Sequence, residues 1–158
     1  MVIQTEIQTF SNKSELLVKD ADLLDIAHQT AKNAYAPYSH FKVGAAILLQ
    51  NGEIISGNNQ ENAVYPSGMC SERVALYYAA AKFPDIPFTK IAITAIGTEK
   101  EVCNPVPPCG SCRQALLEYE LKFKQPIEVI MAGEKGEVYI VKSVSDLLPL
   151  SFSDKFIL

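Results

Sequence analysis

The sequence predicts an α/β fold, a three-layer α/β/α sandwich around a mixed central sheet of about five strands. Two observations carry the prediction. Short runs rich in Val, Ile, Ala and Leu alternate along the chain with longer segments of helix formers, the order that builds a sheet covered by helices. Asn51-Gly52, set between two apolar runs, is a strong hairpin signal, so part of the sheet is antiparallel. About five strands is an ordinary sheet size. A chain of 158 residues has room for one core rather than two, so a single domain over residues 1–158 is expected.

Each element follows from local chemistry. Val2 to Phe10 reads as a short strand or an arm, within an N-terminal region of residues 1–19. From Asp20, read as a capping residue, Leu23, Leu24, Ala27, Ala31 and Ala34 recur at helical spacing and stop before Pro37. Phe41 to Leu49 reads as a buried strand, and the Asn51-Gly52 turn returns the chain antiparallel over Glu53 to Gly57. Gly57 to Met69 mixes polar and aromatic residues with Pro66 and Gly68 and reads as an ordered loop. Ser71 to Lys82 is nearly unbroken helix former, halted by Pro84 and Pro87. Lys90 to Ile96 reads as a central strand, Gly97 to Pro108 as a proline-rich loop, and Cys109 to Lys122 as a helix. Ile127 to Ala132 and Glu137 to Val141 complete the sheet, and a tail with Phe152 and Phe156 follows.

Composition narrows the function classes. The formal net charge is -4 with no cluster of Lys and Arg, so the basic footprint a nucleic-acid polymer demands is missing. No apolar run approaches the roughly 20 residues of a membrane span. Met1 to Glu6 lacks the basic start and apolar stretch of a signal peptide. Cytoplasmic residence is expected, where thiols stay reduced. The four cysteines are then better read as metal ligands or core thiols than as disulfides.

Their placement is informative. Cys70-Ser71-Glu72-Arg73 opens one predicted helix, and Pro108-Cys109-Gly110-Ser111-Cys112-Arg113-Gln114 opens another. Helix, strand, helix order from Ser71 to Lys122 puts both helix starts at one sheet edge, where Cys70 can approach Cys109 and Cys112. Helix N-termini favour thiolates. Three thiolates suit one zinc ion, Zn²⁺, with a fourth place left for water, and Glu72 is the nearby carboxylate that can move protons. Arg73, one turn from Cys70, and Arg113 adjoin the ligands and are positioned to offset their negative charge, Arg73 the more so; Gln114 follows Cys112 closely. Cys103 offers a rival reading, a closed four-cysteine structural site that leaves Glu72 without a task.

At Cys70-x-Glu72 and Pro108-Cys109-x-x-Cys112 the sequence resembles the zinc-dependent nucleobase deaminases. Cysteine as the first ligand narrows the resemblance to the small cytidine deaminases of nucleoside salvage. It extends from about Asp20 through Phe152 and includes Tyr38-Ser39-His40-Phe41-Lys42-Val43-Gly44-Ala45 and Glu61-Asn62-Ala63. The resemblance implies a cytidine deaminase-like fold and conversion of cytidine and deoxycytidine to uridine and deoxyuridine plus ammonia, by zinc-activated water with Glu72 as the proton shuttle. It implies Phe41 against the pyrimidine ring, Asn59 and Glu61 on the ribose hydroxyls, and the Ser71 main-chain N–H on the base carbonyl. Alanine is common at the position of Ser71 in such proteins, so its hydroxyl is a departure. The resemblance further implies one zinc per subunit, a pyrimidine nucleoside as the small-molecule partner, and a homotetramer in which Tyr65 and Phe152 reach a shared pocket. By residue type alone, Phe41, Tyr65 and Phe152 would be core aromatics and Asn59 and Glu61 turn or surface residues. The rival functions are deamination of another aminopyrimidine compound, such as a nucleoside antibiotic, and a non-enzymatic zinc-stabilised binding module.

Overall fold

Phe41–Leu49 forms the long strand that its apolar run predicts, and the rest of the sheet assembles on both sides of it. The computed structural model describes residues 2–157, leaving Met1 and Leu158 outside. In chain order the elements are β1 (Gln8–Phe10), α1 (Val18–Ala31), β2 (Phe41–Leu49), β3 (Ile54–Asn58), α2 (Ser71–Lys82), β4 (Phe88–Gly97), α3 (Gly110–Phe123), β5 (Glu128–Ala132) and β6 (Val138–Val141). The sheet order is β1-β6-β5-β4-β2-β3. β4 and β5 run parallel, joined through α3, and the other neighbouring pairs are antiparallel.

The sheet is mixed, as the order of elements and the Asn51-Gly52 hairpin predict, and gains a sixth strand from the N-terminal region. Gln8, Thr9 and Phe10 pair with Ile140, Tyr139 and Val138, covering the outer edge of β6. The hairpin forms at Asn51-Gly52, with Gly52 at φ +88°, a conformation that favours glycine. Leu49 N–H donates to the Glu53 carbonyl at 2.9 Å, and Ile47 stands opposite Ile55.

Alternation along the strands produces two apolar faces. Leu23, Leu24 and Ala27 of α1 pack on Ala46, Ala92, Ile130 and Ile140. On the other face Ala75, Leu76 and Ala79 of α2 and Leu116 and Leu117 of α3 pack on Ala45, Ile47, Ile91, Ile93, Val129 and Met131. Neighbouring residues 45/46 and 91/92 thus serve opposite layers, as a two-residue period requires. Helices cover both faces of β4 and β5, which explains the apolar runs at 91–93 and 129–132.

α1 departs from the sequence expectation at both ends, stopping at Ala31, short of Ala34. α1 starts at Val18 with Leu17 at its cap position, and no side chain caps it. Asp20 instead lies inside the first turn, buried, accepting from Lys90 Nζ at 2.6 Å; Lys90 also meets Glu128 at 2.7 Å. A carboxylate facing the sheet is better satisfied by that ammonium than by an exposed helix end. Burial alone would lower the Lys90 pKa, but Asp20 and Glu128 outweigh it and raise it.

α1 sits unusually close to β2 at Gly44. A Cβ there would stand 2.0 Å from the Ala27 carbonyl oxygen and 2.7 Å from the Ala31 nitrogen. Because both neighbours are backbone, Gly44→Ala must displace the helix, and a loss of about 2–3 kcal/mol in denaturant unfolding is expected. Unchanged stability would mean that α1 shifts freely on the sheet.

Candidate active site

β3 and β4 both run antiparallel to β2, so they point the same way and their following loops emerge at one edge of the sheet. The loop after β3 delivers Cys70 to the cap position of α2, and the loop after β4 delivers Cys109 to that of α3. Both caps have extended backbone, φ −69° and −67°, and neither thiol is spent on capping its helix. The two sulfurs are therefore free to face each other across the helix starts.

The Sγ atoms of Cys70, Cys109 and Cys112 lie within 4.8 Å of one another. Cys70 and Cys109 are 3.9 Å apart, and Cys109 and Cys112 are 3.5 Å apart. Sulfurs bound at 2.3 Å around a tetrahedral zinc stand about 3.8 Å apart. The cluster therefore fits zinc in both donor type and spacing. Cys103 takes no part: it is exposed in the proline-rich loop, with its thiol 3.7 Å from a Glu101 carboxylate oxygen. Three cysteines, not four, make the site. Cys103→Ser is expected to retain zinc at wild-type stoichiometry, whereas Cys109→Ser loses most of it; metal analysis of the two purified variants checks this.

Arg73 Nη2 donates to Cys70 Sγ at 3.5 Å, and its buried Nε has no partner among the described residues. The Cys70 thiol is held well below its ordinary pKa, first by contact with Cys112 and then by Arg73. Cys112 is pushed upward by the same contact, by burial and by the carboxylate of Glu72. Arg73 thus sits where its guanidinium favours the charged form of Cys70, a helical turn away. Arg113 does not share that role. Its Nε donates to the Pro108 carbonyl at 2.9 Å and its Nη1 to the Leu147 carbonyl at 2.8 Å, holding the approach to α3 against the tail.

Glu72 is 5% exposed and Ser71 is fully buried. The Ser71 hydroxyl donates to Glu72 Oε2 at 2.9 Å. Burial raises the Glu72 pKa; its own main-chain N–H and the Ser71 hydroxyl offset part of that rise, and the charge of Cys70 adds to it. Burial thus makes Glu72 a stronger proton acceptor than an exposed carboxylate.

A cavity of about 540 Å³ opens beside Cys70 and Arg73, lined also by Asn59, Glu61, Tyr65, Tyr38 and Ser39. Its volume is in the usual range for small-molecule sites. Asn59 bridges two residues of β2, its Nδ2 donating to the Phe41 carbonyl at 3.0 Å and its Oδ1 accepting from Val43 N–H at 2.7 Å. Phe41, half-buried at the start of β2, is outside the cavity lining and is tied to it through Asn59. Glu61 Oε2 accepts from the N–H groups of Tyr38 at 2.9 Å and Ser39 at 3.2 Å, and Oε1 accepts from the Ser39 hydroxyl. That hydroxyl is the first cause of a lowered Glu61 pKa. Sequence reasoning left Tyr38 and Ser39 without a role; the signal available was their position just before Phe41.

Tyr65 is 76% exposed and meets Tyr38 edge to face, with ring centroids 6.1 Å apart. Phe152 is also exposed, stacked on Phe156 at 5.6 Å, away from the cavity lining. Gln114 reaches that tail, its Nε2 donating to the Phe152 carbonyl at 3.0 Å. Neither His28 nor His40 joins the thiols in the metal-ligand cluster.

A mixed α/β/α sandwich with three convergent thiols and a buried carboxylate at two helix starts defines a zinc-dependent hydrolytic deaminase. The sequence model of the cytidine and deoxycytidylate deaminase zinc-binding region matches residues 17–125. The chain belongs to that family. It is 37% identical over 131 residues to a cytidine deaminase of Halalkalibacterium halodurans, covering 83% of this chain and 92% of that one. The crystal structure of cytidine deaminase from Burkholderia pseudomallei superposes with TM-score 0.73 at 37% identity, over 87% of this chain and all of the other. A blasticidin-S deaminase of Bacillus cereus is 25% identical over 137 residues, covering 85% and 93% of the two chains.

Proposed function

We propose that the protein hydrolyses the 4-amino group of cytidine and deoxycytidine, giving uridine and deoxyuridine plus ammonia, in cytoplasmic pyrimidine salvage. The observation that carries this reading is the buried Glu72 carboxylate beside a three-thiol cluster whose Cys70 lines a cavity of small-molecule size. Cys70, Cys109 and Cys112 would hold zinc, which would supply a Lewis acid able to make water nucleophilic near neutral pH. Glu72 takes one proton from the attacking water and delivers it to N3, then moves the remaining proton of the new C4 hydroxyl to the departing amino group. The C4–N bond breaks, ammonia leaves and a carbonyl remains.

The remaining residues position the substrate. Phe41 packs on the pyrimidine, the Ser71 main-chain N–H at the start of α2 donates to the base carbonyl, and Asn59 and Glu61 hold the ribose hydroxyls. Arg73 moderates the charge of the thiolates, and Gln114 anchors the tail that carries Phe152. Glu61, a carboxylate on the cavity wall, disfavours a 5'-phosphate. Exposed Tyr65, Tyr77, Tyr78 and Phe152 provide the apolar surface for a homotetramer whose subunits share pockets. No helix among the described residues is long and apolar enough to cross a membrane.

The blasticidin-S relative supports a second reading, deamination of a cytosine-bearing nucleoside antibiotic. A substrate panel separates the two. Cytidine and deoxycytidine are expected to turn over, with cytidine monophosphate at least about tenfold poorer in kcat/KM. Turnover of the antibiotic alone would establish the second reading, and equal rates on nucleoside and monophosphate would remove the role given to Glu61. Sedimentation equilibrium is expected to show four chains per particle.

A further inference from the structure

We infer that Ser71 is a positioning residue for the deamination, its hydroxyl orienting the carboxylate of Glu72. The inference rests on the proposed role of Glu72 as proton carrier and adds a side chain whose hydroxyl that role does not require. The Ser71 hydroxyl is in an unusual place. It is fully buried, and its 2.9 Å hydrogen bond goes to Glu72 Oε2. A serine beginning a helix ordinarily spends its hydroxyl on the helix's unpaired N–H groups, but here the cap position belongs to Cys70 and Ser71 is already the first helical residue. Its hydroxyl turns instead to the next side chain.

That contact answers a specific mechanical weakness of glutamate. The terminal carboxylate torsion is broad and roughly two-fold, so an unpartnered carboxylate samples many orientations even when its backbone is fixed on a helix. Proton transfer needs the oxygen within hydrogen-bond reach of successive donors and acceptors, and misplacement costs rate. A charge-assisted bond from a buried neighbour narrows the torsion without occupying the cavity. Ser71 is well suited to this, being fully enclosed and one residue away on the same rigid helix start.

The test compares wild type, Ser71→Ala and Ser71→Thr, with kcat expressed per bound zinc, together with KM for cytidine, uridine affinity by calorimetry, and Tm. Ser71→Ala is expected to lower kcat about five- to tenfold while KM and uridine affinity stay within about twofold, since the main-chain N–H persists. Ser71→Thr, which keeps the hydroxyl, is expected to recover at least half of the wild-type kcat. The inference is overturned if Ser71→Ala matches wild type in kcat, if its loss lies in KM and uridine affinity, or if both variants are equally slow per zinc with wild-type Tm. A wild-type protein inactive on every cytosine nucleoside would instead overturn the deaminase reading itself.

Discussion

Glu72→Gln is expected to bind a full complement of zinc and to lose turnover of cytidine by about 10²- to 10⁴-fold, the usual contribution of general acid-base catalysis. Gln has nearly the volume of Glu, so the 5% exposed site stays filled and the three thiols keep their spacing. Its amide can still accept the Ser71 hydroxyl through oxygen, but it can neither take the proton from water nor return one to nitrogen. Because the loss falls on the transition state, kcat and kcat/KM should fall together while KM changes little. Steady-state kinetics with a zinc determination on the same preparation measures both halves. A Gln variant with intact metal and near-normal kcat would remove Glu72 from the chemistry.

The largest effect on stability is expected from Glu120→Ala, at the buried inner side of α3. Glu120 Oε2 accepts from the N–H groups of Ile127 and Val144, both at 2.9 Å, and Oε1 from the Ser143 hydroxyl at 2.6 Å and Ser145 N–H at 3.2 Å. One carboxylate thus ties α3 to the start of β5 and to the tail after β6. Alanine leaves two buried main-chain donors without partners, each costing roughly 1–3 kcal/mol, so a loss of about 2–5 kcal/mol is expected in denaturant unfolding. Glu120→Gln keeps an acceptor oxygen and should lose less. A loss under about 1 kcal/mol for the alanine variant would mean that water or a local shift satisfies Ile127 and Val144.

The contrast between these two glutamates shows what is legible in a sequence. Glu72 sits in a short-range pattern, two residues after one thiol, and the helix starts that unite the thiols follow from the order of elements alone. Glu120 has no such pattern; its partners are 7 to 25 residues away and are brought together by the chain's return after β6. Arg73 and Arg113 differ in the same way. Arg73 lies three residues after Cys70, which places both on one helix face, whereas the carbonyl of Leu147 that captures Arg113 belongs to a tail whose path no local signal fixes.

Elements set by local chemistry are read residue for residue. Phe41–Leu49 and Ser71–Lys82 have the bounds that apolar continuity and the stop at Pro84 prescribe. β4 begins at Phe88, two residues before the expected start, because Phe88 is a core residue packed on Tyr119 and Phe123 of α3. β1 becomes a strand through its ladder with β6, a long-range pairing that three exposed or half-exposed residues do not announce. Ser71 shows the same limit within the site: its identity is plain in the sequence, but the direction of its hydroxyl is settled only by the geometry of the helix start.

We propose that three cysteines and one glutamate give this chain its activity, zinc-dependent deamination of cytosine nucleosides. Its most direct measurement is the fall in cytidine absorbance with purified protein, before and after zinc is stripped by a chelator and after zinc is restored. The expected result is steady conversion to uridine, abolished on stripping and regained on adding zinc back. No absorbance change with any cytosine nucleoside, from protein that holds one zinc per chain, would contradict the claim.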